Sequence, residues 1–118
     1  MGVIRLFLLV EALSFAVASS IHSGRLIQGY AHPQARIAEG VISSVLFVGL
    51  ILTWIQPAGL RKVGVWPQGL ALLGTMVGIF TIVIGVGPRT VPDIIYHVGI
   101  VVVLIAGLRT ATRVGRGV

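Results

Sequence analysis

The sequence predicts an all-α fold, an up-and-down bundle of four transmembrane helices. Four apolar segments are each long enough to cross a bilayer, and short connections rich in Gly and Pro separate them. Charged residues make up 10% of the 118 residues, whereas a water-soluble domain has about 25%. No segment alternates polar and apolar residues over the length of a barrel strand. We therefore expect lipid to surround much of the molecule.

The predicted spans form a single integral membrane domain, residues 1–118, and cover residues 3–22, 37–55, 69–87 and 91–108. The first span has Glu11 in its middle, and the second has Glu39 near its start. The third span has no charged residue, and the fourth has Asp93 and His97 near its start. Arg5, the apolar run and an Ala-Val-Ala sequence resemble a signal peptide. Glu11 in the middle of the apolar run argues against that interpretation, so we expect a true first span.

Basic residues predict the orientation in the membrane. Residues 23–36, 56–67 and 88–92 are the predicted connections, and Trp54 and Trp66 flank the second as interfacial aromatic residues would. Six basic residues lie on one predicted side: Arg5, Arg61, Lys62, Arg109, Arg113 and Arg116. Three lie on the other: Arg25, Arg36 and Arg89. We therefore expect a multi-pass protein of the cell membrane with both termini in the cytoplasm.

Composition also bounds the function. The chain has no cysteine, which excludes disulfides, iron–sulfur clusters and thiolate zinc sites. The net charge of +6 would suggest nucleic acid in a soluble protein. Here the basic residues lie between and after apolar runs, so we expect no nucleic-acid partner. The expected partner is the lipid bilayer, and a homo-oligomer or a larger membrane complex stays open.

Every histidine and two of the three acids are predicted to gather at the outer end of the bundle: His22, His32, Glu39, Asp93 and His97. His22, Glu39 and His97 are candidate ligands of a divalent transition metal. Alternatively, His22 and His97 could ligate haem b or bind a quinone. Asp93 would then orient His97 by accepting its ring proton. The competing interpretation is a set of interfacial polar residues that meet lipid headgroups and water.

Glu11 and Ser14 form a second candidate site, for a proton or a cationic substrate. A helix turns about 100° per residue, so Glu11, Ser14 and His22 share one narrow stripe of the first helix. An ionisable residue inside a bilayer is a functional candidate by default. The alternative is a packing hydrogen bond from Glu11 to a neighbour, of which the candidates are Thr75, Thr81 and Tyr96.

Two further patterns favour structural roles. The third span carries a stripe of small residues, Gly74, Gly78, Thr81 and Gly85, which lets helix backbones approach closely within one bundle or between protomers. Arg89 is expected to pair with the nearby Asp93. The basic C-terminal segment, which contains Arg109, Arg113 and Arg116, is expected to meet lipid headgroups.

Two family resemblances follow from these residues. The size, the four spans and the carboxylate at Glu11 resemble the small multidrug resistance transporters, which implies a dimer that exchanges protons for cations. Residues 36–40, Arg-Ile-Ala-Glu-Gly, and the apolar residues 46–52 are similar to DoxX-like membrane proteins. That similarity implies a four-helix protein linked to redox enzymes.

Three classes of function therefore stay open. The first is a redox or cofactor-binding membrane component with a site in its outer half. The second is a small proton-coupled transporter that uses Glu11. The third is a structural subunit of a membrane complex. Whether the protein is an enzyme is open as well.

Overall fold

A computed structural model describes residues 2–114 and confirms the predicted fold class. The helices are α1 (Gly2–His22), α2 (Pro33–Ile55), α3 (Leu60–Val83) and α4 (Val91–Thr112), with a 3-10 turn at Pro57–Gly59. All four helices are long and apolar enough to cross a membrane, and the described residues contain no strand. Arg116 lies outside the described residues.

The helices follow one another around the bundle. α1 packs against α2 and α4, and α3 packs against α2 and α4, while α1 and α3 touch only slightly across the diagonal. The predicted contact between α1 and α4 is thus confirmed. Leu8, Leu46 and Leu104 are fully buried at the centre. Most other large apolar side chains are exposed on the outside, as expected for helices that face lipid.

The start of α3 differs from the prediction. The helix begins at Leu60, nine residues before the predicted start, and Pro67 lies inside it. A proline removes one backbone hydrogen bond, but transmembrane helices tolerate proline where neighbouring helices support it. The Pro67 ring packs onto Gly49 of α2, where an added Cβ would lie 2.5 Å from the ring. The expected loop at residues 56–67 is therefore mostly helix, and Trp66 is exposed on α3 rather than in a connection.

The end of α3 also comes earlier than predicted. The helix ends at Val83 because Gly85 adopts a φ of 86°, which ends the helical path. The backbone amides of Val86 and Gly87 then both donate to the carbonyl oxygen of Thr81 at 2.9 Å. These bonds satisfy an end carbonyl that the helix leaves free.

The stripe of small residues on α3 packs inside the bundle. A Cβ at Gly74 would lie 2.9 Å from Ile42 of α2, and one at Gly78 would lie 3.3 Å from Nε2 of His97 on α4. The Thr81 hydroxyl donates to the carbonyl oxygen of Gly78 at 2.6 Å. Gly74 and Gly78 therefore allow α3 to approach α2 and α4. The sequence left open whether the stripe packs within one bundle or between protomers, and at these two positions it packs within the bundle.

His32 ties two connections together at the end of the bundle that holds the histidines. Its Nδ1 accepts a hydrogen bond from the backbone amide of Ala35 at 3.2 Å, which caps α2. Its Nε2 lies 3.1 Å from the carbonyl oxygen of Val86. An amide can only donate and a carbonyl can only accept, so the ring proton is on Nε2. The connection between α1 and α2 is thereby fixed to the connection between α3 and α4.

Arg5 anchors the opposite end. Its guanidinium donates to the Thr53 hydroxyl at 3.0 Å and to the Thr53 carbonyl oxygen at 3.1 Å. It also lies 4.3 Å from the centre of the Trp54 ring, in a cation–π contact. The sequence suggested only an orientation signal for Arg5. The structure adds a tie between α1 and the end of α2.

Candidate functional site

A buried triad of His22, Glu39 and Asp93 joins three helices. Nδ1 of His22 is hydrogen-bonded to Oε1 of Glu39, and Nε2 lies 2.9 Å from Oδ1 of Asp93. All three residues are at most 6% exposed. Among residues 2–114, the ion pairs are the two that His22 makes with these carboxylates. Three of the five residues in the predicted cluster are therefore in contact, with His22 between the two carboxyl groups.

Local structure places each member of the triad. His22 is the last residue of α1, and Glu39 lies about two turns into α2. Thr90 and Asp93 form a capping box at the start of α4, in which each side chain bonds the backbone amide of the other. The Thr90 hydroxyl also bonds Oδ2 of Asp93. Thr90 therefore holds the Asp93 carboxylate so that Oδ1 faces His22.

The hydrogen bonds of the triad limit where its protons lie. Carboxylate oxygens accept unless protonated, so the two bonds of His22 together require two protons. Either the imidazole carries both and each carboxylate is ionised, or the imidazole carries one and a carboxyl carries the other. When Oε2 of Glu39 and Oδ2 of Asp93 carry no proton, the net charge of the triad is −1 in both arrangements. The triad can therefore move a proton internally without any change in total charge.

His97 does not join this triad. Its Nδ1 donates to the backbone carbonyl of Asp93 at 2.7 Å, and its Nε2 faces Gly78. The expected orientation of His97 by the Asp93 carboxylate is therefore wrong, because that carboxylate bonds His22 and Thr90 instead. The expected ion pair between Arg89 and Asp93 is also absent, because Asp93 pairs with His22. The Arg89 side chain lies near Gly85 instead, with its Nη1 3.5 Å from the position that a Cβ on Gly85 would occupy.

The described residues do not support the predicted metal site. No group of three His, Asp or Glu side chains within residues 2–114 could hold a metal ion. His22 and Glu39 are in contact, but His97 does not complete a ligand set. Both ring nitrogens of His22 are engaged by carboxylates, so neither is free for a metal or for haem iron. The described geometry gives no support for haem ligation by His22 and His97.

An apolar groove of about 670 Å³ runs between α1 and α4 and reaches the triad. Its walls are mainly apolar: Val10, Leu13, Val17, Ala18, Ile21, Ile27 and Pro92. His22, Asp93, Tyr30 and Tyr96 supply polar groups, and Ser14 adds a hydroxyl that donates to the Val10 carbonyl at 2.7 Å. The groove therefore combines a long apolar wall with polar groups from the triad.

A smaller cavity of about 170 Å³ lies on the other side of the triad, among α2, α3 and α4. Glu39, His32, Tyr96 and His97 line it, together with apolar residues and the polar side chains of Gln34, Thr75 and Thr81. Oε2 of Glu39 and the hydroxyl of Tyr96 are buried without a hydrogen-bond partner. Because His22 and Asp93 line the groove while Glu39 lines this inner cavity, the triad connects the two.

Glu11 and Ser14 reach different places despite their common stripe. Ser14 lines the groove, whereas Glu11 is 0% exposed and both its carboxyl oxygens lack a partner. None of the expected packing partners bonds Glu11. Thr75 donates to the carbonyl oxygen of Ala71 and Thr81 to that of Gly78, while the Tyr96 hydroxyl has no partner. The structure places Gln68, which is also 0% exposed, beside Glu11.

Gln68 and Thr90 are the site residues that sequence reasoning missed. Gln68 lies between the predicted connection at residues 56–67 and the predicted third span at residues 69–87, and neither includes it. A polar side chain inside an apolar helix would have been the signal. The sequence signal for Thr90 is the pattern of a capping box, with Thr at the N-cap, Pro92 in the first turn and Asp93 three residues after the cap.

The apolar helices and the buried polar triad define a small multi-pass membrane protein built as a four-helix bundle. Comparisons with models of protein families, with curated proteins and with solved structures gave no match.

Proposed function

We propose that this protein binds a lipid-soluble molecule with a hydroxyl-bearing head, of the quinol class, and exchanges a proton with it. The observation that carries the proposal is the position of His22 and Asp93 on the apolar groove between α1 and α4. Ligand sites are mostly apolar with a few placed polar groups. The groove has that character.

The groove favours a ligand that is soluble in lipid and has a polar head group. Its apolar walls lie on helices that face lipid, so a ligand would enter from the membrane. Asp93 offers carboxylate oxygens as acceptors on the groove side, and the triad has two carboxyl groups for one imidazole. A head that donates a hydrogen bond therefore fits better than one that only accepts. A quinol hydroxyl is such a donor, and its ring and tail suit the apolar wall.

The triad supplies a path for the proton. A proton that leaves the ligand reaches Asp93 on the groove side, and Asp93 passes a proton to Nε2 of His22. His22 then passes a proton from Nδ1 to Glu39, which lines the inner cavity. Such a relay needs an imidazole bonded on both nitrogens, and His22 has that arrangement. The resemblance of residues 36–40 and 46–52 to DoxX-like proteins is consistent with a role beside redox enzymes.

A lipophilic cation is the second candidate ligand, because the triad combines two carboxyl groups with one imidazole. A carboxylate would bind the cation, as the resemblance to the small multidrug resistance transporters implies, but that carboxylate would be Asp93 rather than Glu11. Asp93 lines the groove, whereas Glu11 is fully buried. The transporter hypothesis in this form therefore depends on Asp93.

Binding to the protein in lipid nanodiscs tests both candidates. A short-chain ubiquinol analogue is the first probe, and tetraphenylphosphonium, a cation without hydrogen-bond donors, is the second. Leu13→Trp should fill the groove and weaken quinol binding at least tenfold. Leu73→Trp, a matched change on a lipid-facing position of α3, should leave it unchanged. Asp93→Asn should weaken quinol binding by a factor of roughly 10 to 150, since a charge-assisted hydrogen bond contributes about 1.5–3 kcal/mol.

The outcomes separate the functions. Quinol binding that Leu13→Trp and Asp93→Asn both weaken supports the proposal. Binding of tetraphenylphosphonium alone, with dependence on Asp93, replaces it with the cation transporter. If the nanodiscs bind neither probe, the groove is filled by lipid and a structural role is the better account.

A further inference from the structure

Glu11 lies in a second polar site, separate from the groove and the triad. The carboxyl group is fully buried in the middle of α1, and neither oxygen has a hydrogen-bond partner. No ion pair within residues 2–114 involves Glu11. A buried carboxylate without a partner or a counter-charge is strongly unfavourable. The group needs a bound proton or a bound cation to be stable there.

The neighbour of Glu11 is an acceptor whose orientation is fixed. Nε2 of Gln68 donates to the carbonyl oxygen of Gly64 at 2.8 Å. A flipped amide would place Oε1 against that carbonyl, so two acceptors would oppose each other. Oε1 of Gln68 therefore points away from Gly64, and it too is buried without a partner.

Gly107 of α4 brings the two side chains together. A Cβ added at Gly107 would overlap Oε1 of Gln68 and would lie 2.9 Å from Oε2 of Glu11. Both oxygens therefore occupy the space that the missing side chain leaves. Two acceptor oxygens therefore lie next to the same point, and a single proton shared by them would satisfy one oxygen of each.

We propose that Glu11 is a proton-binding site, in which the neutral carboxylic acid donates a hydrogen bond to Oε1 of Gln68. One proton accounts for the missing donor and for the missing counter-charge together. A hard metal cation usually takes six or more oxygen ligands, and Glu11 with Gln68 supplies three oxygens. This proposal is independent of any ligand in the groove.

The position of Glu11 links its protonation to the packing of the helices. Glu11 lies about 16 Å along α1 from His22, at about 1.5 Å per residue. One helix thus carries a proton-binding carboxyl near the middle of the bundle and an imidazole triad at its end. Loss of the proton would leave an anion facing the Gln68 oxygen and would push α1, α3 and α4 apart. The site therefore couples the protonation of Glu11 to the packing of three helices.

Infrared spectroscopy of the protein in nanodiscs tests the proposal directly. A protonated carboxyl gives a C=O stretching band that an ionised carboxylate lacks. At neutral pH the wild type should show such a band, Glu11→Gln should remove it, and Glu39→Gln, the matched change in the triad, should leave it. Gln68→Leu should shift the band to higher frequency, because the acid then loses its acceptor.

Stability gives a second readout. Glu11→Gln keeps a donor for Gln68, so it should unfold within about 3 °C of the wild type. Gly107→Ala should displace Gln68 and shift the band, whereas Gly99→Ala, for which nothing lies within 4 Å, should not. A wild-type spectrum without a band that Glu11→Gln removes would overturn the proposal. If sodium or lithium instead stabilises the wild type but not Glu11→Gln, the site binds a cation and the proposal is also wrong.

Discussion

Nε2 of His22 lies 2.9 Å from Oδ1 of Asp93, which joins the last residue of α1 to the first turn of α4. The other ring nitrogen is bonded to Glu39 of α2. One imidazole therefore holds three helices at the same end of the bundle. Removal of the ring would leave two buried carboxylates with no group between them.

Substitution of His22 should therefore destabilise the fold strongly. His22→Leu should lower the free energy of unfolding by about 3–5 kcal/mol, the usual effect of leaving a buried charge without its partner. His32→Leu, which removes a helix cap and one contact between connections, should cost about 1–2 kcal/mol. Unfolding in bicelles, followed by circular dichroism, measures both.

The triple variant His22→Leu, Glu39→Gln, Asp93→Asn provides the control. It removes the uncompensated charges together with the imidazole, so it should recover more than half of the stability lost in His22→Leu. Equal losses in His22→Leu and His32→Leu would show that the triad does not hold the helices together.

The packing of α3 gives a second prediction. Gly78→Leu should push the His97 ring away, because even a Cβ would lie 3.3 Å from Nε2. Overpacking of this kind costs about 1–3 kcal/mol, and the thermal midpoint in detergent should fall. Gly69→Leu, on the same helix with nothing within 4 Å, is the control. A change in oligomer size at an unaltered thermal midpoint would instead place Gly78 between protomers.

Orientation in the membrane is the third prediction. The chain has no native cysteine, so single cysteines report without background. Gln28→Cys and Arg89→Cys should react with an impermeant maleimide from outside the cell, and Ala58→Cys should react only after the membrane is opened. All three positions are exposed in the structure. The reverse pattern would place both termini outside.

The sequence by itself determined the number of helices and their apolar surface. Both follow from local composition, because about 20 apolar residues are needed to cross a bilayer wherever they lie in a chain. It also determined that the histidines and two acids share one end, since up-and-down connections alternate sides. The predicted start of α3 was wrong because a proline breaks an isolated helix, whereas packing on Gly49 supports Pro67 inside this one.

Only the tertiary structure decided which polar groups meet. His22 and Asp93 are 71 positions apart, and nothing in their spacing distinguishes that contact from the expected one between Asp93 and His97. Rotation of each helix about its axis selects the partner, and the packing of all four helices sets that rotation. The same holds for Glu11, whose neighbour Gln68 comes into reach because Gly107 has no side chain. Helical periodicity gives the face of one helix, whereas a contact needs the faces of two.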